Sequence, residues 1–245
     1  MRTSVGLLSL LLLLMTVSTV PAERRVEFSG YEWIVRRSGG LEGPGPNRFS
    51  DASEVVRVDE SGGLRLAIVR RGAGWVCAEV ILDRSLGYGT YEFAVEIEPG
   101  ALEPQVILGM FTYDDDAPDA YHREIDVELG RFGNPSAPAA QFVLQPAERY
   151  GNRLRYELDE EGTHTTHAFR WEAGQITFRS VHGHHEAVFG VPDSRVTATW
   201  SVRGDRVPAP ADERVRINLW LYQGETPSRE HEVVVRRFSF YPLER

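Results

Sequence analysis

The densest chemistry in the chain lies in six residues, Glu124-Ile125-Asp126-Val127-Glu128-Leu129. Alternate side chains of a strand share a face, so Ile125, Val127 and Leu129 would point into a core while three carboxyls line the other side. Glu124 and Glu128 would then have Cα atoms ~13 Å apart at ~3.3 Å per residue. Two long side chains leaning together on a concave sheet close most of that gap. Double displacement with retention at an acetal carbon needs two carboxyls ~5–5.5 Å apart. Asp126 is shorter and stays between them as an electrostatic tuner. Three neighbouring carboxyls cannot all ionise freely, so one is pushed towards a raised pKa and can act as an acid. An ordinary solvated strand face has the same pattern, and six residues alone do not separate the two readings.

Holding such a row takes strands, and strand signals dominate. Tyr91, Phe93, Val95 and Ile97 alternate with Glu92, Ala94, Glu96 and Glu98, a period of two with one wet face. Similar runs occur at 64–70, 75–82, 105–112, 123–129, 175–181, 195–202, 215–222 and 232–241. Turn clusters such as Ser61-Gly62-Gly63 and Gly43-Pro44-Gly45-Pro46-Asn47 separate them. No apolar 3.6 period persists over three turns. The pattern predicts an all-β fold, an antiparallel β-sandwich or jelly roll. The segments 114–120 and 131–139 flank the carboxyl strand and are rich in Gly, Pro, Asp and Asn, so both are expected as exposed loops.

The 245 residues exceed the usual ~100–200 for one domain, yet sandwiches reach this size as one unit. With 42% hydrophobic and 26% charged residues the chain can build a core, which excludes disorder. All 27 basic residues are Arg against 36 acids, a net charge of −9. That balance argues against a nucleic-acid or anionic-membrane partner. Arg2 and the apolar run from Val5 to Val20, ending at Val20-Pro21-Ala22, read as a secretory signal peptide over 1–22. Residues 23–245 are then one domain, secreted to an extracellular or periplasmic space and expected as a monomer without a membrane contact after cleavage. Cys77 is the sole cysteine, so no internal disulfide is possible and the thiol reads as a small buried hydrophobe.

The chain resembles glycoside hydrolase family 16, the jelly-roll glucanases that include lichenases and laminarinases, with a concanavalin A-like sandwich. Glu124-Ile125-Asp126-Val127-Glu128 is similar to that family's signature without its inserted bulge residue. Further landmarks follow in family order: Cys77-Ala78-Glu79, Gly87-Tyr88-Gly89-Thr90-Tyr91-Glu92, Phe111-Thr112-Tyr113, Thr166-His167-Ala168-Phe169-Arg170-Trp171 and Asn218-Leu219-Trp220. The resemblance implies Glu124 as nucleophile, Glu128 as general acid/base and Asp126 as the assisting carboxylate, with no cofactor. It also implies that Glu79, Tyr113, Asn218 and Trp220 line a polysaccharide cleft. Alternation agrees for the last two, since Asn218, Trp220 and Tyr222 share a face. The alternative for Trp220 is a core tryptophan.

Departures from lichenases bear on specificity. His122 stands where they carry Trp, Ile81 where they carry Arg and Val143 where they carry Asn, and 131–139 is longer. Members of the family often hold a structural Ca²⁺ with an Asp near the C-terminus. The corresponding segment here is Val235-Arg236-Arg237, so no metal is expected. His182-Gly183-His184-His185 is expected in a tight solvated hairpin rather than at a metal. The resulting expectation is a secreted, retaining, endo-acting hydrolase of a β-linked polysaccharide, with β-glucan foremost. The alternatives are a non-catalytic lectin-like module on the same sandwich, a transglycosylase or galactanase variant, and a structural surface protein. N-terminal sequencing of exported material should begin at or near Glu23, and a mature form that keeps residues 1–22 would contradict the leader reading.

Overall fold

The computed structural model describes residues 22–98, 100–158 and 162–243, so the expected leader lies outside the described residues except for Ala22. The chain begins with β1 (Arg25–Phe28), β2 (Tyr31–Val35), β3 (Val56–Val58), β4 (Leu64–Arg71), β5 (Gly74–Val76) and β6 (Ala78–Leu82). Next come β7 (Gly89–Glu96), β8 (Val106–Tyr113), β9 (Ile125–Leu129), β10 (Ala140–Leu144) and β11 (Arg153–Tyr156). The last five are β12 (His164–Glu172), β13 (Gln175–His182), β14 (Val196–Arg203), β15 (Arg214–Leu221) and β16 (His231–Pro242).

These strands form two antiparallel sheets. One runs β1-β2-β6-β15-β8-β9-β10-β11 and the other β14-β13-β12-β7-β16-β4-β3, with β5 beside β4. Many neighbours are far apart in sequence, as in a jelly roll and unlike an up-and-down meander. Alternation sends one side of each strand inward. Ile125, Val127 and Leu129 of β9 and Ile217, Leu219 and Leu221 of β15 are all buried. Aromatic side chains tie the sheets together. Phe142 of β10 stacks on Phe178 of β13 with ring centroids 5.0 Å apart, and Trp33 of β2 meets Phe238 of β16 edge-on at 5.4 Å. Each such side chain contributes about 1.5–3 kcal/mol on burial. Cohesion rests on this packing, since Cys77 is free and buried and desolvation pushes its thiol up to about 12.

Three expectations need correction. The run 75–82 is two strands, because β5 pairs with β4 while β6 pairs with β2 and β15. The chain passes from one sheet to the other at Cys77, where a parallel bridge to Phe49 replaces the ladder. Secondly, β9 starts at Ile125 rather than Arg123, because the residues before it are left-handed. Thirdly, His182 ends β13 but no tight hairpin follows. Residues 183–195 make an excursion with two short 3-10 turns that lays Val188 and Val191 on Ala168 and Val181, over the outer face.

The C-terminal segment that departs from the calcium pattern has its own arrangement. Arg236 Nε donates to Glu96 Oε2 at 2.5 Å and its NH1 donates to Ser61 Oγ at 2.9 Å, with Asp59 Oδ2 at 3.7 Å. A guanidinium between two carboxylates does not fit a bound cation, so these acids are neutralised from within the chain. A chelator should leave Tm unchanged, while Arg236→Ala should lower it by roughly 2–4 °C, the shift that ~1 kcal/mol gives at this size. Scanning calorimetry with and without chelator checks both.

Candidate active site

Register lays out the outer face of the β9 sheet row by row. Glu79 of β6 pairs with Asn218 of β15, Asn218 with Gly109 of β8, and Gly109 with Glu128 of β9. Glu128 pairs with Gln141 of β10, and Gln141 with Arg155 of β11. Arg36, just after β2, extends the row by donating its N–H to the Glu79 carbonyl. The face is recessed. Asp126, Gln141, Arg216 and Asn218 are all buried although no second sheet covers them. Gly109 sits at the centre for a steric reason, since a Cβ there would lie 2.5 Å from Asn218 Oδ1. The missing side chain makes room for the Asn218 amide, which lies over Gly109. Asn218 Oδ1 is itself buried, with no hydrogen-bond partner among the described residues.

Glu124, Asp126 and Glu128 lie on this face, as alternation required. The carboxyls of Asp126 and Glu124 interact, which lowers that of Glu124 and raises that of Asp126. Gln145 Nε2 donates to Asp126 Oδ2 at 3.1 Å, and Gln141 Nε2 donates to Glu128 Oε2 at 2.7 Å. All three carboxyls lie above the ordinary range. Burial, followed by the charge of Glu128, pushes Glu124 up to about 8, against the pull of Asp126 and Arg216. Burial and both glutamates raise Asp126. Burial raises Glu128 as well, opposed by Gln141, Arg155 and Arg153. The three titrate as a unit. Burial thus favours protonated carboxyls along this face.

The loop before β9 aims Glu124. Tyr121, His122 and Arg123 have φ of 48°, 57° and 51°, a left-handed run that costs about 1–3 kcal/mol per non-glycine residue. Asp114 holds it: its N–H donates to the His122 carbonyl at 2.7 Å, its own carbonyl lies 2.7 Å from His122 Nδ1, and its carboxylate takes Arg123 NH1 at 2.6 Å. Thr112 Oγ1 donates to the Arg123 carbonyl at 2.8 Å and accepts the Ile125 N–H at 3.2 Å. His122 lies flat on Tyr113, with ring centroids 4.4 Å apart, and the Arg216 guanidinium stands 4.6 Å from the Tyr113 centroid. Tyr113 and His122 are therefore both beside the carboxyls.

Two sequence-derived site residues need correction. Glu79 is on this face but has no exposed surface. Arg36 NH1 at 2.8 Å and Arg216 NH1 at 3.1 Å bind its two oxygens, and Asn218 Nδ2 is 3.4 Å away. It anchors Asn218 and Arg216 rather than lining an open cleft. Trp220 is on the expected face but only 9% exposed, packed beside Phe132 and Tyr222 with centroids 6.5 and 6.3 Å away. The accessible aromatic edge there belongs to Phe132 and Tyr222. Sequence reasoning missed Arg36, Gln141, Gln145, Arg153, Arg155 and Arg216, which strand register and side-chain hydrogen bonds bring to this face. Alternation in Arg153-Leu154-Arg155-Tyr156 was the available signal for two of them.

No family model and no curated protein matches the chain. Solved structures do. A Bacillus licheniformis β-glucanase superposes with a TM-score of 0.62 at 16% identity, over 86% of this chain and 92% of that one. A prokaryotic β-1,3-1,4-glucanase (lichenase) from a mouse hindgut metagenome gives a TM-score of 0.60 at 18% identity, over 86% and 93%. A β-1,3-glucanase from Mycobacterium marinum gives 0.61 at 16%, over 85% and 90%. The chain has the jelly-roll sandwich fold of these glucanases.

The raised carboxyl of Glu124 carries a stability consequence. Its pKa rises from 4.5 to about 8 on folding, so the folded state binds the extra proton between those values. That contribution is complete below pH ~4.5 and is lost as pH rises through ~8. Glu124→Gln removes the loss, so its Tm should gain on the wild type as pH is raised from 5 to 8.5. Thermal melts at both pH values check this, and a constant difference would mean that Glu124 ionises without cost.

Proposed function

We propose that the protein is a secreted, endo-acting glycoside hydrolase that cleaves a β-linked polysaccharide with retention of anomeric configuration. The observation that carries this reading is the row Glu124, Asp126 and Glu128 on a recessed face, where burial raises all three carboxyls. The names of the solved glucanases that share the fold favour a β-glucan backbone.

The chemistry needs Glu124 ionised and Glu128 protonated. Glu124, in its carboxylate form, attacks the anomeric carbon and forms a glycosyl ester. Glu128 gives its proton to the departing glycosidic oxygen as that bond breaks. A water then loses a proton to Glu128 and attacks the same carbon, the ester bond breaks, and the Glu124 carboxylate is regenerated. Two inversions give net retention. Tyr113 and His122 wall the cleft beside Glu124.

Reducing-end assays on a panel of β-glycans should show activity that Glu124→Ala abolishes while circular dichroism is unchanged. Glu128→Ala should lose ~10²–10⁴-fold on polysaccharide yet spare the first step on an activated aryl glycoside, whose leaving group needs no proton. NMR of the first-formed reducing end should show the retained anomer. An inverted anomer would remove Glu124 as nucleophile, and inactivity across the panel with binding retained would favour the lectin-like module.

A further inference from the structure

Most guanidiniums on the recessed face are held by acids. Arg36 and Arg216 pair with Glu79, Arg214 with Asp115, and Arg123 with Asp114. Arg153 and Arg155 of β11 are different. Both are exposed, and among the described residues neither has a carboxylate within ion-pair distance. Charged side chains do protect edge strands, and β11 is an edge. Edge protection needs exposure only, whereas these two share the face of the catalytic row. Arg155 pairs through Gln141 with Glu128, and Arg153 pairs through Val143 with Asp126.

Arg155 is also framed. Its Nε donates to Gln141 Oε1 at 3.1 Å, and its Cζ stands 5.2 Å from the Phe132 ring centroid. Those contacts fix the guanidinium plane and leave its two terminal NH₂ groups free among the described residues. Arg153, two residues away on the same face, is ~6.6 Å along the strand, close enough for both forks to converge on one group. Two unpaired guanidiniums side by side repel each other, and a bound oxyanion relieves that repulsion. The planar fork matches carboxylate and sulfate oxygens in a bidentate manner. β11 lies two strand spacings, ~10 Å, from β9, so a glycan crossing the strands from Glu128 passes over it.

We infer that the β11 end of the face is an oxyanion subsite in which Arg153 and Arg155 bind a carboxylate or sulfate carried by the glycan, so that the substrate is an acidic β-linked polysaccharide. The inference rests on the reading of this face as a glycan cleft. In a chain of net charge −9, a local positive end also orients an anionic polymer as it approaches. It couples to the chemistry as well. Arg155 and Arg153 oppose the rise of the Glu128 carboxyl, so an anion bound to them helps keep the acid protonated when substrate is present.

Binding to the turnover-deficient Glu124→Gln chain tests this, by affinity electrophoresis and titration calorimetry. The probes are mixed-linkage β-glucan, the same polymer oxidised at C6 to the uronate, and the same polymer sulfated. At least one acidic form should bind about tenfold or more tighter than the neutral parent, ~1.4 kcal/mol, and the tighter of the two identifies the anion. Adding Arg153→Ala and Arg155→Ala should erase the preference, as should ~1 M salt, where screening acts within ~3 Å. Arg153→Lys with Arg155→Lys keeps the charge without the fork and should retain part of the preference in a folded chain. Equal affinity for neutral and acidic polymers, or a preference that survives the double alanine change, would overturn the subsite. Because the readout is binding, a wild type that hydrolyses nothing would defeat the hydrolase reading and leave this result standing.

Discussion

Burying like charges side by side on one strand is the constraint that the recessed face has to meet. At ~7 Å and an effective dielectric of ~20, two carboxylates repel by about 2 kcal/mol. Desolvation is nevertheless the larger contribution for all three members of the row, ahead of their mutual repulsion. The face therefore keeps protons rather than spreading charge. A proton on either Asp126 or Glu124 removes the repulsive contact between them. Glu79, three strand spacings (~14 Å) across the same sheet, is handled in the opposite way, clamped between Arg36 and Arg216. Two solutions to buried charge thus share one sheet, one that stores protons and one that is a fixed ion pair.

Both solutions depend on backbone that is unusually constrained. The left-handed run before β9 is held by Asp114 and Thr112 from the neighbouring strand end, so the direction of Glu124 is set by β8 as much as by its own strand. Below the face, the contacts of Phe142 with Phe178 and of Trp33 with Phe238 pin the two sheets together at well-separated points. Rotation of β9 about its axis would have to break that packing and expose Ile125 and Val127. The carboxyl row is rigid because the other side of its strand is core.

Much of this was legible in the residues, and the failures have physical causes. Period-two alternation correctly sent Ile125, Val127 and Leu129 inward and placed Asn218 and Trp220 on one face. It could not say that Phe132 would join Tyr222 in sheltering Trp220, because Phe132 comes from a loop 88 residues earlier in the chain. β10 escaped because Ala140–Leu144 is buried on both faces and shows no alternation, and β11 because its alternation runs over only four residues. The partners of the carboxyls, Gln141, Arg155 and Arg216, come from register across strands, which local pattern does not encode. The His182–His185 segment looked like a hairpin because Gly183 supplies the turn signal. Val188 and Val191, however, gain burial on the outer face by lengthening the connection.

The row through Glu79, Asn218, Gly109, Glu128, Gln141 and Arg155 draws each member from a different strand. A polymer lying along it would meet a new segment of the chain at every step. Mutational drift at one end of the row is then insulated from the other, since an exchange on β11 moves no side chain on β6. Such a surface can be retuned one position at a time while the buried carboxyls at its centre stay in place.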